Sequence, residues 1–214
     1  TYKGLEVGRE YTVSGTLMNQ RTGAKILVNG KLVTASTTFT AEKKEGSVEV
    51  VFAFDASALE GTTTVVYEKL YTENKEVAAH TDINDKGQTI YIPKVRTTAI
   101  ADDTKDHVTE AKKDVTIVDT VSYEGLEVGR EYTVKGVLMN KVTGKAITVN
   151  GKEVTAERTF TAKAQKGTVD VTFKFDGSAL EDTLIVVFET LYTEKKEVGV
   201  HAEINDCLLY TSDA

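Results

Sequence analysis

Two glutamates lie in strongly apolar segments of the sequence. Glu68 is part of VVYEKLY and Glu189 is part of VVFETLY, and each has the strand parity of the apolar residues two positions away. A carboxylate on a row that faces a core costs free energy unless it is paired or protonated. Both are therefore candidate buried acids. The alternative is an edge strand on which the Glu points outward.

Two of the three histidines also recur at matching positions. His80 opens HTDIND and His201 opens HAEIND. Histidine exchanges protons near neutral pH, but a single His is usually structural, and recurrence within a repeat adds little by itself.

The acidic loop after His80 is also a candidate calcium site. Asp82, Asn84 and Asp85 supply oxygens, but calcium loops place their ligands at alternate positions, and the next alternate position holds Lys86. In the second loop the corresponding position holds Cys207. We expect no metal, and no phosphate-binding loop or nucleophile elbow is present in the sequence.

These candidates come in pairs because the chain repeats itself. YKGLEVGREYTVSGTLMN begins at Tyr2 and YEGLEVGREYTVKGVLMN at Tyr123, and the offset of 121 holds without a gap to Asp85 and Asp206. About 54 of these 84 positions are identical. A repeat of this length is a whole domain, so we expect domains at residues 1–93 and 94–206.

The two copies are cut differently. Residues 94–121 have no counterpart before Tyr2, so we expect copy one to lack its N-terminal strand. KGQTIYIP, at 86–93, would recur at 207–214, where the sequence reads CLLYTSDA. The abrupt change predicts that residues 207–214 are a non-native tail and that copy two lacks a native C-terminal strand. A diverged terminal strand is the alternative.

Period-two alternation predicts strands throughout the chain. Residues 48–54 and 169–175 alternate in this way, and Asn-Gly at 29–30 and 150–151 suits a type I′ hairpin turn. HVTEAKKD, at 107–114, has mild helical character and is equally compatible with a loop. Many short antiparallel strands predict an all-β fold of two tandem immunoglobulin-like β-sandwiches, joined near Pro93-Lys94.

Composition agrees with this fold class and excludes several functions. The 214 residues include 32 Thr and 27 Val, one Pro and no Trp, and β-branched residues favour strands. A net charge of −7 without a basic cluster disfavours nucleic acid and anionic membranes as partners. No apolar run approaches the roughly 18 residues of a membrane span. Cys207 is the only cysteine, so no intrachain disulfide is possible. A cysteine-poor, Thr-rich β protein fits a bacterial surface protein that is stabilised in another way, and a cytosolic protein is the alternative.

Several spaced motifs occur in one order, and most occur twice. They are YxGLxxGxEYTVxGxLMNxxTG, TAxxTFTA, VVYE or VVFE, and HxDxNDxxQT. This combination resembles the Thr–Gln ester-bond domains, which are repeats of surface-anchored adhesins of Gram-positive bacteria. The resemblance covers nearly the whole chain except its last eight residues.

The resemblance implies that the first and last strands of each sandwich become covalently joined. A Thr hydroxyl attacks the side-chain amide of a Gln, ammonia leaves and an ester remains. The motif V-R-T-T-A points to Thr97 rather than Thr98, and Gln88 lies eight residues after the first motif histidine. The catalytic residues that the resemblance implies are Asp119, Glu68, Glu189, His80 and His201.

These residue types fit that chemistry. A Thr hydroxyl needs a base, for which His is well matched, and a buried, protonated Glu can donate to the oxyanion. Asp119 either orients the His or shares a proton with the Glu. The step is intramolecular and calls for no cofactor; because it occurs once, we expect no enzyme with turnover.

Neither copy holds a complete set. Copy one lacks the Thr and the Asp, which would precede residue 1, and copy two has Leu209 at the position of the Gln. Thr97 and Gln88 belong to different modules, so no ester is expected between them.

The expected function is a structural stalk module of an extracellular adhesin on the bacterial cell wall. Its partners would be neighbouring repeats of the same polypeptide, and a host surface ligand would bind through other domains. The alternatives are a ligand-binding adhesin module and a plain β-sandwich spacer without a cross-link. Short loops and nearly identical copies favour a spacer.

Overall fold

The chain forms two compact units, Thr1–Ile92 and Pro93–Ala214. In this computed structural model, residues 1–206 and 209–212 are described. Apart from two single-turn 3-10 helices, Ser57–Leu59 and Lys86–Gln88, every regular element among them is a β-strand. The prediction of an all-β fold is confirmed.

The first unit contains nine strands. They are β1 (Tyr2–Lys3), β2 (Glu10–Asn19), β3 (Leu27–Val28), β4 (Lys31–Leu32), β5 (Thr34–Thr40), β6 (Glu45–Gly46), β7 (Thr62–Thr72), β8 (Lys75–His80) and β9 (Thr89–Ile92). The main sheet has the order β5-β2-β7-β8, and β9 also pairs with β7. Two small apolar clusters support it, one around Leu17 and Val66 and one around Leu5 and Tyr11.

The described residues of the second unit form twelve strands. They are β10 (Lys94–Ala101), β11 (Val108–Glu110), β12 (Val115–Glu124), β13 (Glu131–Asn140), β14 (Lys145–Ala146), β15 (Thr148–Val149), β16 (Lys152–Glu153), β17 (Thr155–Thr161), β18 (Gly167–Phe175), β19 (Leu184–Thr193), β20 (Lys196–His201) and β21 (Leu209–Ser212).

Two sheets of the second unit enclose one core. The first has the order β10-β12-β18, and the second joins β11, β21, β19, β13 and β14, with β17 and β20 as further partners. The core draws on both sheets, with Ile117 and Phe173 from one and Leu138 and Leu191 from the other. Alternation along each strand directs these residues inward, which produces a sandwich.

The Asn-Gly turns have the predicted conformation. Asn29 and Gly30 have φ of 50° and 75°, and Asn150 and Gly151 have φ of 52° and 74°. A type I′ turn requires positive φ at both central residues, which Asn and Gly tolerate best. The turns join β3 to β4 and β15 to β16.

One sequence-based expectation fails locally. Residues 48–54 form no strand, although the equivalent residues of the second unit lie in β18. The partner of β18 is β12, and the first unit contains an equivalent only of the end of β12, the strand β1, which pairs with β6, so residues 48–54 have no backbone to pair with. Residues 107–114, for which helix and loop were equally compatible, are irregular except for the short strand β11, which pairs in parallel with β21.

Candidate functional site

The glutamate and histidine candidates face each other in both units. Glu68 of β7 is the cross-strand partner of His80 in β8, and Glu189 of β19 is the partner of His201 in β20. Directly paired residues project from the same face of a sheet. The repeat therefore forms the same Glu–His pair twice, each time between two consecutive antiparallel strands.

Burial distinguishes the two pairs. Glu189 is 1% exposed and lies between β13 and β20, so it is not on an edge strand. The His201 side chain is 8% exposed, whereas that of His80 is 51% exposed. Glu68 is half-buried. The first unit thus presents its pair to solvent and the second encloses it.

The second unit adds a threonine and an aspartate to its pair. Thr97 and Asp119 come from the adjacent strands β10 and β12, and the Thr97 hydroxyl donates a hydrogen bond to Asp119 Oδ1. Thr97 has the inward parity of Val95 and Ala99, which are buried. Thr98 is exposed, and its hydroxyl donates to the Thr97 carbonyl at 2.9 Å.

Asp119 and Glu189 form a pair of buried carboxyl groups. Burial, followed by interaction with Asp119, raises the pKa of Glu189 to about 10. Burial also raises the pKa of Asp119, although interactions with Glu189 and Thr97 act in the opposite direction. Two neighbouring carboxyls in an apolar site do not both ionise readily. Glu189 is therefore a neutral acid at pH 7 and can donate a hydrogen bond.

Three oxygens of this carboxyl pair have unused hydrogen-bonding capacity. Asp119 Oδ2 and both carboxyl oxygens of Glu189 are buried, and within the described part of the chain no group outside this carboxyl pair donates a hydrogen bond to them. Buried polar atoms normally find partners, and an exception calls for an explanation. A polar side chain entering from the last strand would satisfy these oxygens.

The first unit contains such a side chain. Gln88 Nε2 donates to Glu68 Oε2 at 3.3 Å. Gln88 ends the 3-10 helix Lys86–Gln88, directly before β9. A carboxamide directly before the last strand thus reaches the glutamate of the Glu–His pair.

The second unit supplies no carboxamide at the matching sequence position. Leu209 is fully buried and pairs with Ile185. The equivalent of Ile185 is Thr64, which pairs with Ile90 rather than Gln88. Strand β21 is therefore displaced by two residues relative to β9. The remaining positions of the expected tail, 207, 208, 213 and 214, lie outside the described residues.

An aspartate that was not among the predicted site residues contacts each histidine. His80 Nε2 lies 2.6 Å from Asp85 Oδ2, and His201 Nε2 lies 2.6 Å from Asp206 Oδ2. The sequence pattern for this contact is the aspartate that recurs five residues after each histidine.

The structure thus brings together two overlapping subsets of the candidates. The second unit combines a hydroxyl, two carboxyls and an imidazole, and the first unit combines a carboxyl, an imidazole and a carboxamide. The Glu–His pair is common to both. Chemically, the combined set contains a nucleophile, a base, a neutral acid and an electrophile, which are the parts needed for acyl transfer.

The described residues include neither a cluster of metal-ligating side chains nor a membrane-spanning helix. No group of three or more His, Cys, Asp or Glu side chains among residues 1–206 and 209–212 is arranged to hold a metal ion. The same part of the chain forms no helix that is long and apolar enough to cross a membrane.

Comparison with solved structures finds adhesins and glycoside hydrolases. A bacterial adhesin from Mobiluncus mulieris, containing intramolecular disulfide, isopeptide and ester bond cross-links, is 19% identical with a TM-score of 0.46, covering 57% of this chain and 57% of that chain. Its second crystal form is 20% identical, with the same TM-score and coverage. A glycosyl hydrolase family 2 member from Bacteroides cellulosilyticus is 12% identical with a TM-score of 0.40, covering 98% of this chain and 27% of that chain.

The chain spans little more than half the length of the adhesin chain that it matches. No curated protein matches it. Sequence comparison nevertheless assigns residues 1–92 and residues 93–207 to one family, described as the T-Q ester bond containing domain. Because the two matches cover almost all of both units, the chain belongs to the family of T-Q ester bond containing domains and carries two of them.

Proposed function

We propose that this chain is a stalk segment of a bacterial cell-surface adhesin, and that its modules become locked by Thr–Gln ester bonds between their terminal strands. The proposal includes an immunoglobulin-like topology for each complete module. The observation that carries it is the hydrogen bond from Gln88 to Glu68. Glu68 is the equivalent of Glu189, whose Glu–His pair is accompanied by Thr97 and Asp119 in the second unit.

In the proposed reaction, the side-chain carbonyl carbon of a Gln exchanges its bond to the amide nitrogen for a bond to the Thr97 oxygen. The hydroxyl oxygen of Thr97 attacks the carboxamide carbon of a Gln on the last strand, and the C–N bond breaks as the C–O bond forms. The hydroxyl proton leaves with the amide nitrogen as ammonia. The product is therefore about 17 Da lighter, the mass of ammonia lost when a positioned nucleophile displaces an amide.

Each residue has a distinct task in this proposal. Asp119 accepts the hydrogen bond of Thr97 and holds the hydroxyl in place, and His201 takes its proton and passes it to the leaving nitrogen. Glu189, neutral at pH 7 because burial raises its pKa to about 10, donates to the developing oxyanion. A donor held in a dry site stabilises that charge strongly, and the fold places the reactants together.

A covalent lock suits a stalk. Joining the terminal strands prevents the sheets from separating at the point where tension enters each module. The chain has a single cysteine, so no intrachain disulfide can perform this task. The surface location and the mechanical role are inferred from the family and from this need.

The direct test restores the missing glutamine. In a repaired chain, residues 207–214 are replaced by the sequence of residues 86–93, which introduces Leu209→Gln on a complete last strand. Intact-mass spectrometry after folding should show a spontaneous loss of about 17 Da. If the folded, repaired chain keeps its full mass, the cross-linking function is wrong and a plain spacer remains.

A further inference from the structure

Strand β20 contains one residue more than the part of β19 that lies opposite it. Glu197 pairs with Tyr192 and Gly199 pairs with Leu191, so Val198 lies between two adjacent pairs. An extra residue of this kind is a β-bulge, and bulges re-aim the side chains of the strand that carries them.

Strand β8 of the first unit has the same irregularity. Glu76 pairs with Tyr71 and Ala78 pairs with Leu70, which leaves Val77 as the extra residue. The bulge does not require a glycine, because its second position is alanine here and glycine in the second unit.

The bulge reverses the faces of the residues that follow it. Val198 packs against the core, and a Cβ atom on Gly199 would lie 3.6 Å from Val95 Cγ2, so two consecutive residues face inward. Side chains alternate again after the bulge. Val200 is therefore directed outward and is 50% exposed, and His201 is directed inward and is buried.

The sequence of β20 suits the opposite arrangement. In Glu-Val-Gly-Val-His, residues 197–201, the two valines share one face and Glu197 shares the other with His201. A regular register would bury Val200 and expose His201, and burial of an apolar side chain is favourable. The bulged register thus competes with a regular register that differs from it by one residue.

The turn between β19 and β20 is held in place. Glu194 and Lys195 have φ of 50° and 65°, as in a two-residue hairpin turn, which fixes the register beside it. Arg130 pairs with Glu194 at 3.2 Å, and the Thr193 hydroxyl donates to the Glu131 carbonyl at 2.9 Å. With the turn tied to the start of β13, the bulge is what brings the histidine opposite the glutamate.

The first unit repeats these contacts at its own turn. Glu73 and Asn74 have φ of 49° and 64°. Arg9 pairs with Glu73 at 3.1 Å, and the Thr72 hydroxyl donates to the Glu10 carbonyl at 2.9 Å. Held turn, bulge and Glu–His pair therefore recur together.

We propose that the bulge at Val198 and Gly199 sets the reactive face of β20, and that the hairpin has a second, regular register in which His201 faces solvent and no ester forms. Val77 and Ala78 have the same role in the first unit. The bulge residues are positioning residues, because they act on the reaction through the histidine. The inference rests on the proposed function for its consequence, ester formation, whereas the two registers are properties of the hairpin itself.

Gly199→Lys should select the regular register. In the bulged register the lysine side chain would enter the space next to Val95 and Leu191 and bury its ammonium group, which is costly. In the regular register the same side chain faces solvent. We therefore expect folded Gly199→Lys to exchange the exposures of residues 200 and 201.

Two chemical probes measure this exchange. Diethyl pyrocarbonate, which acylates accessible imidazoles, should leave His201 largely unmodified in the unaltered chain and should modify it as readily as His80 in Gly199→Lys. Iodoacetamide should label Val200→Cys in a Cys207→Ser background, and it should no longer label that thiol once Gly199→Lys is added.

The two probes also distinguish a register change from unfolding. Reactivity at both positions of Gly199→Lys would show local unfolding in place of an exchange. Unchanged protection of His201 in the folded variant would show that the hairpin has one register. Either result would overturn the proposal.

Ester formation in the repaired chain tests the consequence. Gly199→Lys should abolish the mass loss. Gly199→Ala is the matched control and should keep it, because a Cβ atom at this position makes ordinary contacts of 3.6 to 3.9 Å. If Gly199→Lys forms the ester at the unaltered rate, the positioning role is wrong while the cross-linking function stands.

Deletion of Val198 separates register from general destabilisation. Without the extra residue, a regular ladder places His201 opposite Glu189, so the mass loss should persist. A merely structural role would make the deletion more harmful than a substitution in the bulge, and loss of the reaction or of the fold on deletion would overturn the proposal. If the repaired chain itself forms no ester, the cross-linking function fails, and the two probes still decide between the registers.

Discussion

Gly136 lies directly opposite Glu189 in the antiparallel register of β13 and β19. A Cβ atom on Gly136 would come within 2.6 Å of Phe173 Cζ, so the Phe173 ring occupies the space above the glycine. Paired residues project from the same face, and the ring therefore shields the carboxyl of Glu189 from water. This apolar cover explains why the pKa of Glu189 rises to about 10. The first unit repeats the pair as Gly15 and Glu68.

Gly136→Ala should destabilise the second unit. The added methyl group must displace the Phe173 ring, and overpacking of this kind costs about 1–3 kcal/mol. Hydrogen-exchange mass spectrometry of peptides from residues 94–206 would report the loss for this unit alone. Lys135→Ala is the control on the exposed face of the same strand, where a change within about 0.5 kcal/mol is expected. Equal exchange rates in the two variants would contradict the shielding role of Phe173.

The stability of the second unit should fall as the pH rises above neutrality. Glu189 has a pKa of about 10 in the folded state, against a usual value of 4.5. Between these values the folded state binds more protons than the unfolded state, so raising the pH favours unfolding, by up to about 1.4 kcal/mol per pH unit. Asp119, whose pKa burial also raises, acts in the same direction.

Glu189→Gln isolates this effect. The amide mimics the neutral acid in shape and cannot ionise, so the variant should be more stable than the unaltered chain at pH 8. Its stability should also change less between pH 5 and pH 9. Hydrogen exchange of the second unit at several pH values gives both quantities. A pH dependence that is the same in both proteins would show that Glu189 is ionised in the folded state.

Fold class and turns could be predicted because they depend on local patterns. The Asn-Gly turn at Asn150 and Gly151 requires only positive φ, which those residue types supply. The Glu–His pairing could not be derived from periodicity alone, because it depends on the register between β19 and β20, including the irregularity at Leu191 and Tyr192. Only the resemblance to a family connected those two residues.

Pairing across the chain accounts for the failed expectations. Residues 48–54 alternate as a strand should, but a strand needs a partner, and the part of β12 that would pair with them has no counterpart in the first unit, where β1 matches only the end of β12. The register of β21 also depends on tertiary packing. Leu209 is buried and pairs with Ile185. The repeat offset of 121 would instead pair Ile185 with Thr211, the equivalent of Ile90. Alternation gives the face of a residue only after the register is known.

The first unit should accept the strands that it does not contain. An open cleft of about 460 Å³ is lined by Glu68, His80, Leu70 and Ala78. In the second unit the equivalent of Ala78 is Gly199, and a Cβ there would lie 3.6 Å from Val95 of β10. Strand β10 therefore occupies the space that is open in the first unit. A synthetic peptide of residues 94–124, added to the chain, should yield an adduct about 17 Da lighter than the sum of the two masses.

Two controls test this adduct. Gln88→Ala in the chain, or Thr97→Ala in the peptide, should prevent the covalent product and leave non-covalent binding measurable. Unpaired strand edges attract other strands, so binding itself is expected in both cases. Binding of the unaltered peptide without any mass loss would exclude cross-linking chemistry from the first unit.

Thr97 and Thr98 offer two adjacent hydroxyls, and only one should react. Thr97 faces inward and donates to Asp119, whereas Thr98 is exposed and donates to a backbone carbonyl. In the repaired chain, Thr97→Ala should abolish the loss of about 17 Da without unfolding the protein, and Thr98→Ala should leave the loss intact. The cross-link should raise stability, because it closes a loop of about 110 residues, for which chain entropy suggests about 4–5 kcal/mol. Comparing the repaired chain with its Thr97→Ala variant by hydrogen exchange measures that gain. If Thr98→Ala stops the reaction and Thr97→Ala does not, the reactive face of β10 is the opposite one, and the hydrogen bond between Thr97 and Asp119 has no part in the chemistry.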